Sequence, residues 1–319
     1  MEIFLIVLAA IALLILLTAY ICFRMAFYVK RDKEKNLEAF TFPHGEIYEP
    51  YHPQMLAWMK EARTLVTEEA DITSFDGLNL HGRYYECKKG APIELMFHGY
   101  RGSAERDLCG GVQRCFSLGR NAFIVDQRTS GKSGGNVISF GINESRDLEA
   151  WIKYLIERFG DDVKIILTGI SMGAATVMIA SQKDFPKNVI GVLADCGYTS
   201  AKEIICKEIR SMKLPVRLLY PFVKLGARIF GRFDLEETSP IEAMAKCRLP
   251  IILFHGDCDD YVPHYMSEQN YAVCPAPKKL VIVKGAGHGL GYLVDPERYL
   301  KELNGFSKEY GIDFHNLEA

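Results

Sequence analysis

The hydrophobic pattern divides the chain into an apolar N-terminal run and a long region of short, alternating apolar segments. Residues 3–23 carry no charge and are apolar apart from Thr18, Tyr20 and Cys22. A helix of this length, rising about 1.5 Å per residue, spans the ~30 Å hydrocarbon core of a bilayer. A cleaved signal peptide would begin with basic residues and end in small ones, whereas this run follows an acidic residue and ends in bulky ones. We therefore predict a transmembrane helix at 1–23.

A juxtamembrane region follows at 24–69. Its stretch 32–42 is polar, which predicts an exposed linker. Residues 53–70 place Met55 and Met59 at helical spacing, and this pattern predicts an amphipathic helix whose apolar side packs against the rest of the protein.

From residue 70 onward the pattern predicts a single α/β domain, 70–319. It opens with a hairpin, because strands at 71–75 and 78–86 flank Asp76 and Gly77, a strong two-residue turn signal. Six further apolar segments then alternate with helical patterns. This alternation predicts a mainly parallel sheet covered by helices on both faces. The six predicted strands are 93–97, 122–126, 163–167, 189–195, 251–254 and 280–283.

One interval in the domain, 197–248, is too long for a simple strand-to-strand crossover. It is rich in apolar residues and predicts a helical cap inserted over the site, ending in a helix at 240–246. Caps close over substrates, so we expect Leu218, Leu219 and Phe222 to contact an acyl or other hydrophobic group. The alternative is that these side chains only pack the cap onto the core.

Composition fits one globular domain and an anchor. The chain has 319 residues, of which 49% are hydrophobic and 24% charged, with a formal net charge of −2. That charge offers no basic excess for a nucleic-acid partner. Nine scattered cysteines without metal-ligand spacing favour a reducing compartment over a disulfide framework, and they imply no metal.

Basic residues follow the apolar run, whereas none precedes it. By the positive-inside rule, this asymmetry predicts an N-terminus outside and a domain in the cytoplasm. The basic residues just after the run are Arg24, Lys30, Arg31, Lys33 and Lys35.

The strongest chemical signal is Gly-x-Ser-x-Gly at 169–173, between an apolar strand and a helix of small residues. In that context the motif predicts a nucleophile elbow, in which a tight turn lifts the Ser171 hydroxyl above the sheet. The turn is so tight that a Cβ at either glycine would clash. A serine hydroxyl is a poor nucleophile at neutral pH, so it needs a general base and an acid that orients the base.

Both partners occur downstream, each after a predicted strand. His288 lies between glycines and is the predicted base, and Asp259 is the favoured acid. Ser, Asp and His in this chain order are typical of one class of Ser-His-Asp triad. Asp195, at the end of another strand, is the alternative acid. Asp257, like its neighbour Asp260, is expected to shape the loop through hydrogen bonds to the backbone.

An oxyanion hole should complete the site. One predicted donor is the backbone N–H of Met172, directly after the nucleophile. The second is the backbone N–H of Tyr100, in the glycine-rich turn that follows the strand at 93–97. His98 in the same turn is expected to hold the loop by hydrogen bonding.

These motifs resemble the α/β-hydrolase superfamily, and within it the Bem46-like and serine-aminopeptidase-like hydrolases, many of which carry an N-terminal membrane segment. The resemblance covers about residues 70–305 and implies the α/β-hydrolase fold, a serine triad and no cofactor. It does not specify the substrate, because relatives act as esterases, thioesterases, lipases and peptidases. The matching segments are 74–80, 98–99, 126–128, 131–134, 169–173, the loop around Asp259, and 287–288.

Three functions compete at this point. The favoured one is a membrane-anchored carboxylic-ester hydrolase acting on a small ester or acyl substrate, including lipid-derived esters and thioesters. A serine peptidase acting on short peptides is second, and it would need a charged pocket for a free terminus. A non-enzymatic anchored scaffold is third, although such a protein is expected to have lost a triad residue and none is missing here.

Overall fold

The structure, a computed structural model, describes residues 1–30 and 39–312. Part of the predicted linker, with Arg31, Lys33 and Lys35, lies outside the described residues, as do residues 313–319 of the predicted domain.

The first helix, α1 (Glu2–Ala26), extends three residues beyond the predicted span. It is long and apolar enough to cross a membrane, and only Ala19 and Phe23 among its residues are buried. A 3₁₀ turn (Glu49–Tyr51) then leads into α2 (His52–Leu65). This helix ends earlier than the pattern suggests, because the chain is already extended at β1 (Glu68–Thr73).

The predicted mainly parallel sheet is confirmed, with eight strands in the order β1-β2-β4-β3-β5-β6-β7-β8. The first two strands form the predicted hairpin, and β2 joins β4 in antiparallel register. All later pairs are parallel, so their carboxyl ends meet at one edge. The strands after β1 are β2 (Asn79–Tyr85), β3 (Ile93–Phe97), β4 (Asn121–Asp126), β5 (Ile165–Ile170), β6 (Val189–Asp195), β7 (Ile251–Gly256) and β8 (Lys278–Val283).

Helices cover both faces of this sheet, as the alternation predicts. One face packs on a core around Trp151 and Met178, and the other on a core around Tyr299 and Phe306. Strands buried on both faces explain the continuous apolar runs of the central strands. The remaining helices are α3 (Ala104–Asp107), α4 (Gly111–Ser117), α5 (Ile142–Phe159), α6 (Met172–Ala180), α7 (Ala201–Ser211), α8 (Val216–Gly226), α9 (Pro240–Met244), α10 (Tyr265–Val273), α11 (Gly291–Val294) and α12 (Pro296–Glu309).

The insertion between β6 and β7 holds α7, α8, a π-helical turn (Ala227–Gly231) and α9. Helix α8 and the π-helical turn pack against the last turns of α1. At the closest approach, a Cβ on Gly226 would lie 2.4 Å from the carbonyl oxygen of Ala19. Nearby, the Phe230 ring packs against Tyr20 and Phe23 with centroids 5.1 and 5.8 Å away. The insertion is therefore attached to α1 as well as to the sheet.

Candidate active site

Ser171 lies at the sharp turn between β5 and α6, with φ +57° and ψ −115°, a strained conformation for a residue with a side chain. The two flanking glycines permit this turn. A Cβ on Gly169 would lie 2.1 Å from the carbonyl oxygen of Gly173, and a Cβ on Gly173 would lie 2.0 Å from that of Phe97. Because backbone atoms occupy both places, only glycine fits there.

The three predicted triad residues converge at the carboxyl edge of the sheet. The Ser171 hydroxyl lies 2.8 Å from His288 Nε2, and His288 Nδ1 lies 2.6 Å from Asp259 Oδ2. These contacts suit a hydroxyl that donates to Nε2 and an Nδ1–H that donates to the carboxylate. In this tautomer Nε2 is free to accept the hydroxyl proton.

Asp259 is held by more than its bond to His288. Its Oδ1 accepts hydrogen bonds from the backbone N–H groups of Tyr261, at 2.9 Å, and Val262, at 2.8 Å. The buried His255 approaches Oδ2 at 3.2 Å. Burial opposes ionisation, but the hydrogen bonds from His255 and His288 outweigh it and hold the pKa of Asp259 well below its usual range. The carboxylate is therefore charged at neutral pH.

The other acidic candidates form hydrogen bonds with residues other than His288. Asp195 is buried and accepts a hydrogen bond from the hydroxyl of Tyr299 at 2.8 Å, and burial raises the pKa of its carboxyl. Asp257 accepts a hydrogen bond from the backbone N–H of Gly285 at 2.6 Å, which ties its loop to the loop carrying His288. The geometry thus favours Asp259 as the partner of His288.

The turn that carries Tyr100 lies against the nucleophile. A Cβ on Gly99 would lie 3.5 Å from Ser171 Cβ. Among the described residues, no hydrogen-bond acceptor contacts the backbone N–H of Tyr100 or of Met172, and Met172 occupies the first position of a helix, where N–H groups lack intrahelical partners. Both groups are therefore available to a bound oxyanion.

His98 holds this turn, as the sequence suggests. Its Nδ1 lies 2.9 Å from the carbonyl oxygen of Gly99, and its Nε2 accepts a hydrogen bond from the backbone N–H of Gln127 at 3.1 Å. Burial lowers the pKa of His98, in keeping with a neutral ring that donates through Nδ1.

The same turn is tied to the end of α1, which sequence reasoning missed. The Tyr100 hydroxyl donates to the carbonyl oxygen of Ala26 at 2.7 Å. The Arg101 guanidinium donates to the carbonyl oxygens of Met25 and Tyr28 at 2.8 and 3.2 Å. No sequence pattern predicts these hydrogen bonds, because they join a turn to a helix end that is more than 70 positions away.

A cavity of about 780 Å³ opens beside Ser171 and His288. Much of its wall comes from the segment before the domain, including Ile47, Tyr48 and Trp58. The Tyr48 hydroxyl donates to the carbonyl oxygen of His288 at 2.9 Å, so this segment is fastened directly over the base.

The predicted substrate-contacting residues of the insertion lie elsewhere. Leu218, Leu219 and Phe222 do not line this cavity. Leu218 is 61% exposed, and Leu219 packs on the cluster that includes the end of α1. The structure therefore does not bring these three side chains to Ser171, because α8 lies against α1 and the segment around Tyr48 occupies the wall of the cavity.

Cys196 also lies close to the triad, with its Sγ 4.0 Å from His288 Nε2. Cys196, Asp259 and His288 place possible metal-ligand atoms within 4.8 Å of one another. Both imidazole nitrogens already face short hydrogen-bond partners, and burial raises the pKa of the Cys196 thiol, which disfavours the thiolate that a metal needs. The arrangement therefore suits a hydrogen-bonded relay better than a metal site.

The chain is similar to several bacterial and yeast proteins. YqkD of Bacillus subtilis is 28% identical over 190 residues, which cover 59% of this chain and 62% of YqkD. The protein bem46 of Schizosaccharomyces pombe is 26% identical over 61% of this chain and 60% of its own length. Both matches thus span less than two thirds of the relative. YfhR of Escherichia coli K12 is 24% identical over 84% of this chain and 86% of its own length. No protein-family model matches the chain.

Solved structures of other proteins share the fold of this chain. The esterase Pf2001 of Pyrococcus furiosus superimposes with a TM-score of 0.63 and 24% identity, covering 78% of this chain and 93% of the esterase. Mouse α/β-hydrolase domain-containing protein 10 superimposes with a TM-score of 0.55 and 19% identity, covering 76% of this chain and 99% of the mouse protein. The chain therefore has the α/β-hydrolase fold, and over part of its length it is similar to bem46.

Proposed function

We propose that this protein is a membrane-anchored serine hydrolase that cleaves carboxylic esters. The observation that carries the proposal is the relay from Ser171 through His288 to Asp259, with contacts of 2.8 and 2.6 Å, at the mouth of a cavity large enough for a substrate. The esterases among proteins of the same fold support the same reaction class.

The proposed reaction has two halves. Ser171 attacks the ester carbonyl while His288 accepts its proton, and Asp259 stabilises the imidazolium that forms. The oxyanion is bound by the N–H groups of Met172 and Tyr100. His288 then passes its proton to the leaving alcohol, which departs from the acyl-enzyme. Water, activated by His288, releases the acid and restores the serine.

The lining of the cavity favours a substrate with a hydrophobic acyl group. It includes the aliphatic and aromatic side chains of Ile47, Trp58, Tyr261, Tyr292 and Leu293. Apolar walls with a few convergent polar groups are the usual lining of small-molecule sites.

The proposed membrane attachment favours a lipid-derived ester or thioester as the substrate. Helix α1 would span the bilayer with the N-terminus outside, and the basic residues that follow it favour a cytoplasmic domain. Because Tyr100 and Arg101 are hydrogen-bonded to the end of α1, the candidate oxyanion hole would lie near the membrane surface.

Hydrolysis of a substrate panel by the full-length protein tests this proposal. We expect release of p-nitrophenol from acyl esters, with a chain-length optimum, little cleavage of aminoacyl-anilides, and no activity in Ser171→Ala. Preferential cleavage of the anilides would instead identify a peptidase. Ester hydrolysis that persists in Ser171→Ala would refute the assigned nucleophile.

A further inference from the structure

Helix α8, with the residues just before and after it, carries an apolar face that the described part of the chain leaves exposed or only partly buried. Its members recur at helical spacing, and none belongs to a hydrophobic cluster within the described part of the chain. Leu214 and Leu218 are 45% and 61% exposed, and Ile229 in the following π-helical turn is 43% exposed. We call this surface the α8 face; it comprises Leu214, Leu218, Phe222, Leu225 and Ile229.

The surroundings of the α8 face carry an excess of basic residues. Residues 201–237 contain eight Lys or Arg and five Asp or Glu, a net charge of +3, whereas the whole chain carries −2. Five of these cations are exposed and make no ion pair within the described residues. Arg210 lies on α7, and the other four, Lys213, Arg217, Arg228 and Arg232, lie within or next to α8 in the sequence. An apolar helix face bordered by cations is the pattern of a helix that lies in a membrane interface and attracts anionic lipid.

The geometry of α1 places this face at the bilayer. Every residue of α1 up to position 17 is exposed, and the first buried residue is Ala19. Residues 3–17, the exposed part of the apolar run, form 15 residues of helix, about 22 Å long. A hydrocarbon core of ~30 Å therefore needs about five more residues, roughly to Cys22. Those are the residues against which Gly226 and Phe230 pack. The part of the insertion that contacts α1 must then share its depth in the membrane.

We propose that the α8 face lies in the interfacial layer of an anionic phospholipid bilayer, beside the anchor and in the leaflet from which α1 emerges. Lys213, Arg217, Arg228 and Arg232 would contact the lipid phosphates while the apolar side chains enter the acyl region. The proposal rests on the membrane anchoring proposed above and assigns Leu218 and Phe222 to lipid rather than to the substrate.

Tryptophan quenching by brominated lipid tests the depth of this face. Full-length Leu218→Trp is reconstituted in bilayers that contain anionic phosphatidylglycerol and lipids brominated near the headgroup, and the signal of the two native tryptophans is subtracted with the wild-type protein. We expect a blue-shifted emission and loss of most of the added fluorescence. Ile6→Trp, on the free part of α1, reports anchoring independently.

The matched control is Val273→Trp. Val273 is also an exposed aliphatic residue, at 40% exposure, but it ends α10 at the amino edge of the sheet, away from α1. We expect its added fluorescence to survive. Equal quenching of Leu218→Trp and Val273→Trp, with Ile6→Trp quenched, would overturn the α8 proposal and leave the anchor intact. An unquenched Ile6→Trp would overturn the anchor itself, and the α8 proposal with it.

The cations have a separate test in the same assay. Adding Arg217→Gln and Arg228→Gln to Leu218→Trp should reduce quenching in anionic bilayers toward the level seen in purely zwitterionic ones. Identical quenching with and without the two arginines would refute their contact with lipid phosphates.

Discussion

Replacing Asp259 by Asn tests how the candidate site works, because the change alters one atom of the side chain and keeps its shape. The amide oxygen can still accept from the backbone N–H groups of Tyr261 and Val262. The amide nitrogen would replace Oδ2, the atom 2.6 Å from His288 Nδ1. A donor would then face a donor, so the imidazole would favour the tautomer that carries its proton on Nε2. That proton would point at Ser171, and Nε2 could no longer accept from the hydroxyl.

The expected loss is large. The corresponding change in chymotrypsin-type triads lowers kcat by about 10⁴, which equals about 5 kcal/mol of transition-state stabilisation. The measurement is kcat for a p-nitrophenyl ester with the purified full-length protein, alongside thermal unfolding to show that the fold is retained.

Two matched variants make the result specific. Asp257→Asn changes an acid in the same loop that accepts from the backbone N–H of Gly285 and the thiol of Cys258, and Asp195→Asn changes the alternative acid, which is bonded to Tyr299. Both should keep near-normal turnover. If Asp259→Asn stayed within tenfold of wild type while Asp195→Asn lost activity, the assignment of the orienting acid would be wrong.

Two further predictions concern the framework. Gly173→Ala would force a Cβ to within 2.0 Å of the carbonyl oxygen of Phe97, so we expect loss of activity or of folded protein, measured by ester hydrolysis and circular dichroism; an active, stable variant would contradict the fit of the elbow. Burial opposes ionisation of Glu94, but Arg114 and Arg120 outweigh it and lower its pKa to about 2. Compared with a pKa of about 4.3 in the unfolded chain, this shift contributes about 3 kcal/mol to the free energy of unfolding. The whole contribution is present above about pH 4 and is lost as the pH falls toward 2. Glu94→Gln should therefore lower the melting temperature on the order of 10 °C at pH 7 and narrow its difference from wild type below pH 4, whereas a pH-independent difference would contradict this account.

The sequence predicted the fold and the meeting of Ser171, Asp259 and His288 for one physical reason. Each follows a buried strand, and parallel strands bring their carboxyl ends to a common edge. Gly169 and Gly173 indicated a tight turn from the sequence alone, and the structure shows that a Cβ at either position would clash with a backbone carbonyl oxygen. His255 was missed because a histidine at the end of a strand carries no signal of which carboxylate it will approach.

The cavity could not be predicted in the same way. Its wall depends on Tyr48, whose bond to the carbonyl oxygen of His288 joins positions 240 residues apart. The environment of the apolar residues of α8 could not be predicted for a different reason. A hydrophobic pattern indicates that a helix face avoids water, but it does not indicate what covers that face. For Leu218 the sequence suggested substrate, whereas the structure places it outside the cavity.

Covalent labelling by a fluorophosphonate tests the central claim most directly, because such a probe reacts with a serine that a neighbouring base has made nucleophilic. We expect one adduct per chain, mapped to Ser171 by peptide mass spectrometry, absent in Ser171→Ala and formed much more slowly in His288→Ala. Labelling that persists in folded Ser171→Ala, or that proceeds at the wild-type rate without His288, would contradict that claim.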